Sequence, residues 1–502
     1  MMHTVVFSDV HLAEAEPGDG LWMRYRQRRF SPDREIAEML SALRRTIAAR
    51  ADTLVVVLNG DIFDFDAPRV VGGESVFHDL PRDAAHAVPA MEAILRDNPH
   101  FVTSLGAVLA DGHSVVFVSG NHDAQLTLPD VRAALRDRLV AAARDVLAER
   151  GERLGDGLAA RIVFRAWIHR TSDGIVVEHG NQYDPFCSFR YPMAPYARDR
   201  SEIQPTMGSL AARLLVARMG YFNPHVEQSF LLTARGYMWH WLRYYAFSRR
   251  SLLYAWASGA VRMLLQLVRR RDPEDRRRRR ANIAACTRET KTPVRVVARH
   301  ARLFARPAED RLSIVVRELW VDRVVMVLAC LLLGGLWLGL TSGKLAFGAL
   351  FPLSLWCGYE LWIPKVPLAE NWRRLARVAR KVARIHGARA VLFGHTHQPE
   401  GSWEAGVFYG NTGSWSAAFR DIACTEPLSD ERPLVWLCSD AEGTLSGGLV
   451  AWKAGRFEPR VVEGDFGIVD PPPPDGDGRR DHEHDREHEP SRDGRGPTTL
   501  AA

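Results

Sequence analysis

Lysine is nearly missing from this chain: it supplies only five of the 66 basic residues, at positions 291, 344, 365, 381 and 453, and arginine supplies the rest. Arginine binds anions through a rigid planar fork rather than a mobile point charge. Cysteine is also scarce, with six in 502 residues (187, 286, 330, 357, 424 and 438), and no two stand in a CxxC spacing. This spacing argues against a thiolate-bound structural zinc or a disulfide scaffold, and the thiols read as reduced and structural. No basic-then-apolar leader precedes the first apolar run, "HTVVFSD", so export by a cleavable signal is not expected. Neither charge sign dominates, the formal balance being +6. The length exceeds what one hydrophobic core serves, so two or more structural units are expected.

The chain does contain apolar runs that break into polar clusters. "TVVFSDVHL" ends in Asp9 and His11, "TLVVVLNGDIFDFD" in Asp61 and Asp64, and "HSVVFVSGNHD" in Asn121, His122 and Asp123. "ARIVFRAW" and "GIVVEHGNQYD" read as two further strands, the second delivering His179, and "RAVLFGHTHQP" delivers His395 and His397. Helical stretches lie between them. "SPDREIAEMLSALRRTIAAR" has Ser31 as N-cap and Pro32 in its first turn, another helix runs from about Pro129 to Arg150, and a basic amphipathic helix stops at Gly387. Strands alternating with helices predict an α/β domain, with the polar strand ends along one rim of a sheet.

Taken singly, each ending has an ordinary reading. DxH can cap a helix, GNHD can be a turn, and an isolated HxH can serve solubility or hydrogen bonding. Five such endings in one chain point instead to a metal centre. Oxygen and imidazole donors without thiolate suit divalent manganese, iron or zinc.

The ordered blocks FSDVHL, NGDIFDFD, SGNHD, EHGN and FGHTH resemble the calcineurin-like metallophosphoesterase superfamily over roughly residues 1–184 and 385–455. That resemblance implies an αββα sandwich carrying two divalent ions (Mn2+, Fe2+ or Zn2+). By position, Asp9, His11 and His397 would hold the first ion, Asn121, His179 and His395 the second, and Asp61 would bridge them. His122 would be the catalytic histidine beside the leaving group, Asp123 would orient its ring, and Asp64 would stand behind the ligands. The chemistry implied is phosphoester hydrolysis by a metal-bridging hydroxide.

The two halves of this pattern are separated by an interval more apolar than the rest. Val324 to Gly343 carries no charge, and "LAFGALFPLSLWCGY" follows Lys344. Two such runs predict a transmembrane hairpin turning near Lys344, with Trp356 and Trp362 near one interface. Ligands on both sides of the hairpin must share a compartment, so the number of crossings is even. Arginines flank both ends (Arg299, Arg302, Arg306, Arg311, Arg317 and Arg323 before; Lys365, Arg373, Arg374, Arg377 and Arg380 after), which places the catalytic domain on the cytoplasmic side of the inner membrane.

Five segments result: 1–184, the first part of the catalytic domain; 185–322, a helical insert; 323–364, the hairpin; 365–468, the second part; and 469–502, a Pro- and charge-rich disordered tail. The aromatic, arginine-studded stretch from 205 to 280 fits amphipathic helices on the membrane surface and equally a cap over the site. "RRRDPEDRRRRR" is expected to meet anionic lipid.

For substrate, "SDVHL", "GHTHQP" and "NTGSW" look like the UDP-diacylglucosamine pyrophosphatase branch, implying a lipid-linked or nucleotide-linked phosphate or pyrophosphate. The departures are His122 in GNHD, where that branch tends to carry arginine, and the long insert. A nuclease or phosphodiesterase drawing polyanions to its arginines is the second reading, although no specific nucleic acid is expected as partner. A non-catalytic membrane scaffold is the third.

Overall fold

In the computed structural model each of the quoted strand runs except "ARIVFRAW" gives one strand. The structure describes residues 1–77, 80–152, 157–197, 202–220, 223, 242, 252–269, 276–319, 321–340, 351–362 and 371–464. The expected disordered tail, the turn near Lys344 and most of 221–251 lie outside them. The architecture is mixed α/β. Strands β1 (Met2–Phe7), β2 (Thr53–Asn59), β5 (Ser114–Val118) and β6 (Ile162–Arg165) run parallel. On the other side of β1 an antiparallel meander of β12 (Arg432–Ser439), β13 (Leu445–Lys453) and β14 (Arg456–Glu463) completes seven strands. A second sheet is ordered β10 (Pro399–Glu404), β11 (Val407–Thr412), β9 (Ala390–Phe393), β8 (Ile175–Glu178), β7 (Ile168–Arg170). A separate two-strand ladder joins β3 (Arg69–Val71) to β4 (Glu74–Val76).

Side chains that alternate along each strand sort into separate clusters, as the two-residue period of a strand requires. Val5 and Phe7 of β1 pack with Ile36, Met39 and Leu43 of the helix Asp33–Ala48 and with Phe101 and Leu105 of the helix Pro99–Ala110. Val6, between them, packs with Ile175 and Val177 of β8 and Leu392 of β9, so the two sheets share one core. The far side of the second sheet, through Val176 and Val391, meets Leu375, Val378 and Val382 of the basic helix Asn371–His386.

The stretch "ARIVFRAW", expected as one strand, divides. β6 belongs to the large sheet and β7 to the small one. The crossover residue Trp167 is buried and donates its indole N–H to Glu178 Oε2 at 2.7 Å, which fixes where the chain changes sheet.

Among the described residues one helix, Val321–Leu340, is long and apolar enough to cross a membrane, with a mean hydropathy of 2.2 over its best window. Leu331, Leu332, Leu336 and Leu340 on it are exposed. The second apolar run is described only as the helix Phe351–Trp362, and the Tyr359 hydroxyl donates to Asp322 at the start of the first helix.

Part of the insert packs on the two-sheet domain. Arg213, fully buried, donates to the backbone carbonyls of Asp66 and Ala67.

Candidate metal centre

Asp9, His11, Asp61, His395 and His397 share a backbone property the sequence does not advertise. All five sit in the left-handed region, with φ of 53°, 54°, 51°, 69° and 58°. A non-glycine residue there costs on the order of 1–3 kcal/mol and persists only where its surroundings enforce it. The reason is local. Each parallel strand ends at the same rim, and the chain must turn within a residue or two to aim a polar side chain at a common point. Paired loops hold the turns: His11 N donates to Asp61 O at 3.0 Å, and Leu12 N to Ile62 O at 2.8 Å.

Glycines make the approach possible. A Cβ added at Gly120 would stand 2.2 Å from Asp61 Oδ1 and 2.6 Å from the Asp61 nitrogen. One at Gly60 would stand 2.5 Å from His179 Nδ1, so the glycines of NGD and SGN are required by close packing.

The side chains gather in groups. Donor atoms of Asp9, His11 and His397 lie within 4.8 Å of one another, as do those of Asp61, His179 and His395. His11 also falls within that distance of Asp64 and His122, so the groups overlap, and each could hold a metal ion. Within them, His11 Nε2 and His397 Nε2 meet at 3.5 Å, but two closer pairs of atoms make no hydrogen bond. His397 Nε2 is 3.0 Å from Asp9 Oδ1 and His179 Nε2 is 3.0 Å from Asp61 Oδ2. Even so, Asp9 Oδ1 and His179 Nε2 are buried without a hydrogen-bond partner among the described residues. Asn121 Oδ1 is in the same position. Buried polar atoms are seldom left so. Donor atoms within 3.0 Å of one another but off each other's hydrogen-bond axis are what ligands aimed at a shared cation look like, so the residues fit divalent ions.

The rest of each side chain is anchored. His179 Nδ1 donates to Asn59 O at 2.8 Å, which leaves Nε2 as its ligand atom. Asp61 Oδ1 accepts the His122 backbone N–H at 2.7 Å. Asp9 Oδ2 accepts from Ser8 Oγ and from His395 N. Burial alone would lower the His179 pKa, but the Asp61 and Asp9 charges outweigh it and raise it to about 9. That reversal measures how much negative charge the pocket concentrates.

His122 and its neighbours call for a correction. The sequence suggests Asp123 as the carboxylate orienting the His122 ring, but the structure sets Asp64 and Asp66 there. His122 Nδ1 is 3.3 Å from Asp64 Oδ1 and 3.1 Å from Asp66 Oδ2. Asp123 Oδ1 accepts from Gly120 N and Oδ2 from Ile62 N, tying the loop after β5 to the loop after β2. Burial, with the Asp61 charge added, pushes the Asp123 carboxyl up to about 7. For His122, burial opposes the charged form, but Asp61, Asp64 and Asp66 hold its pKa well above the imidazole range.

Two site residues were not singled out from the sequence. Asp66 is the third acid of "DIFDFD". Asp184, the last residue of "HGNQYD", places Oδ2 3.3 Å from His395 Nε2. The signal available was that both close a motif already read as a strand end. Cys187 joins Asp184 and His395 in a further group, but burial holds its thiol pKa far above the ordinary value, so it stays neutral and is a poor ligand. No family model matches the chain, and comparison with curated proteins finds no match.

Proposed function

We propose that this chain is a membrane-anchored, dinuclear-metal phosphoester hydrolase of the calcineurin-like metallophosphoesterase type. The observation that carries the reading is the convergence of Asp9, His11, Asp61, Asn121, His179, His395 and His397 from the ends of five strands in two sheets. The shared core between the sheets, with helices against both outer faces, supports the finer description of the fold as an αββα sandwich. Two bound divalent cations, of manganese, iron or zinc, would neutralise phosphoryl oxygens and acidify a water. The protein's own groups then divide the work. Asp61, held by the His122 backbone N–H and grouped with His179 and His395, would be a ligand. Asn121 binds without adding charge, which helps the site admit an anionic substrate. His122, kept protonated by Asp64 and Asp66, can pass a proton to the departing alkoxide. Asp123 fixes the loop geometry.

The helix Val321–Leu340, followed by the second apolar helix, supports a hairpin anchor in the inner membrane with the catalytic domain facing the cytoplasm. A membrane address favours a lipid-linked or nucleotide-linked phosphate or pyrophosphate as substrate and anionic lipid as neighbour.

The test is hydrolysis by detergent-purified protein with manganese, against a generic diester, single-stranded DNA and UDP-diacylglucosamine, with Asp61→Asn as control. Preference for the lipid nucleotide, lost in the variant, is the expected result. Preference for DNA would favour the nuclease. Inactivity of the folded protein towards all three, whatever metal is added, would overturn the hydrolase.

A further inference from the structure

The insert forms a half-open cavity of about 710 Å³ that shares no lining residue with the candidate metal centre. Its walls are the loop Phe189–Met193, the helix Arg276–Thr290 and the turn Ala301–Asp310. The volume lies inside the roughly 300–1,000 Å³ usual for small-molecule sites. Four arginines line it, Arg190, Arg279, Arg302 and Arg306, and Asp310 is the one acid among the lining residues. Asp310 is shared: it pairs with the largely buried Arg190 and, at 3.3 Å, with Arg306. A single carboxylate spread over two guanidiniums leaves the walls positive. Glu309, next in the chain, balances this charge only in part at neutral pH, because burial pushes its carboxyl up to about 7.

Phe304 and Met193 supply apolar surface beside the charges. Guanidinium forks match tetrahedral oxyanions, and the apolar patch leaves room for a short carbon skeleton.

We infer that this cavity is a binding site for a phosphate-ester headgroup, separate from the metal centre. Its place in the chain suits a ligand presented at a membrane surface. Only the helix Leu312–Glu318, about 10 Å long at the usual rise per residue, separates Asp310 from the turn into Val321–Leu340.

The experiment is calorimetric titration of the full chain in nonionic detergent with two probes, glycerol 3-phosphate in solution and phosphatidic acid in mixed micelles. Phosphatidylcholine micelles serve as the blank. The double variant Arg302→Ala/Arg306→Ala removes two exposed side chains outside the metal centre. At least a tenfold loss of affinity is expected for the probe that binds. Arg456→Ala/Arg460→Ala, which removes the same charge from β14, should change nothing. Asp61→Asn should bind the probe as the unaltered chain does, whether or not the hydrolase reading holds. Equal binding of both probes would mark a free phosphate ester as the ligand, and binding from micelles alone would mark a lipid; either supports the site. No binding of either probe, unchanged affinity in the arginine double variant, or loss in Asp61→Asn would overturn it.

Discussion

His122 sits where three acids meet. Asp64 and Asp66 face its Nδ1, and Asp61 accepts its backbone N–H. As the proposed proton donor its loss is specific: His122→Ala should lower kcat by about 100-fold or more. The variant should keep its manganese content by elemental analysis, because the proposed metal ligands are other side chains; lost manganese would instead make His122 a ligand together with His11 and Asp64. The sign of the pH effect follows from the same contacts. A histidine acting as an acid works while protonated, so activity should be lost as pH rises through its raised pKa. Removing Asp66 takes away one of the charges that raise it. Asp66→Asn should therefore move the alkaline limb of the kcat profile to lower pH and leave the acid limb in place. An unmoved alkaline limb would assign it to another group. At this scale the sequence shows which side chains end strands, so Asp9, Asp61 and the histidine pair were legible. The carboxylates facing His122 were not, since Asp123 is its neighbour along the chain while Asp64 and Asp66 reach it only through the fold.

Among the elements, the turns after the strands bear the constraint. Gly120 lies against Asp61 so closely that even one methyl group meets both its carboxylate and its backbone. Gly120→Ala is expected to displace Asp61 and lower manganese binding at least tenfold by titration, while far-UV circular dichroism stays that of the parent. Retained metal affinity would show that the turn yields more easily than its packing implies. The helices were legible as elements because capping and periodicity are local. Ser31, read as the N-cap, falls one residue short, since Pro32 is the cap, though its Oγ accepts from Asp33 N at 3.3 Å; the basic helix stops at His386 before Gly387, whose φ is +58°. The division of "ARIVFRAW" between sheets was not legible, because it depends on the indole of Trp167 finding Glu178. Nor was the β12–β14 meander singled out, since strands buried on both faces, such as β12, carry no alternation to read.

For the whole molecule, the decisive question is how the chain meets a membrane. If Val321–Leu340 spans a bilayer, the protein should stay with membranes through an alkaline carbonate wash and leave only with detergent. Release by the wash would reduce the helix to a surface or core element. The insert bears on the site as well, because Arg213 reaches from it to the backbone of the loop that carries Asp64 and Asp66. Of the two readings left open for residues 205–280, this contact favours packing against the two-sheet domain for the part that is described.

The sequence by itself determined the strand endings, the donor types and the apolar run, because each of these is written in consecutive residues. Only the tertiary structure decided the site's geometry. The left-handed turns, the convergence of residues from 9 to 397, the pairing of His122 with Asp66 and the arginine-lined cavity all require segments distant in the chain to be held together. Burial in a shared core supplies that constraint, and no local pattern encodes it.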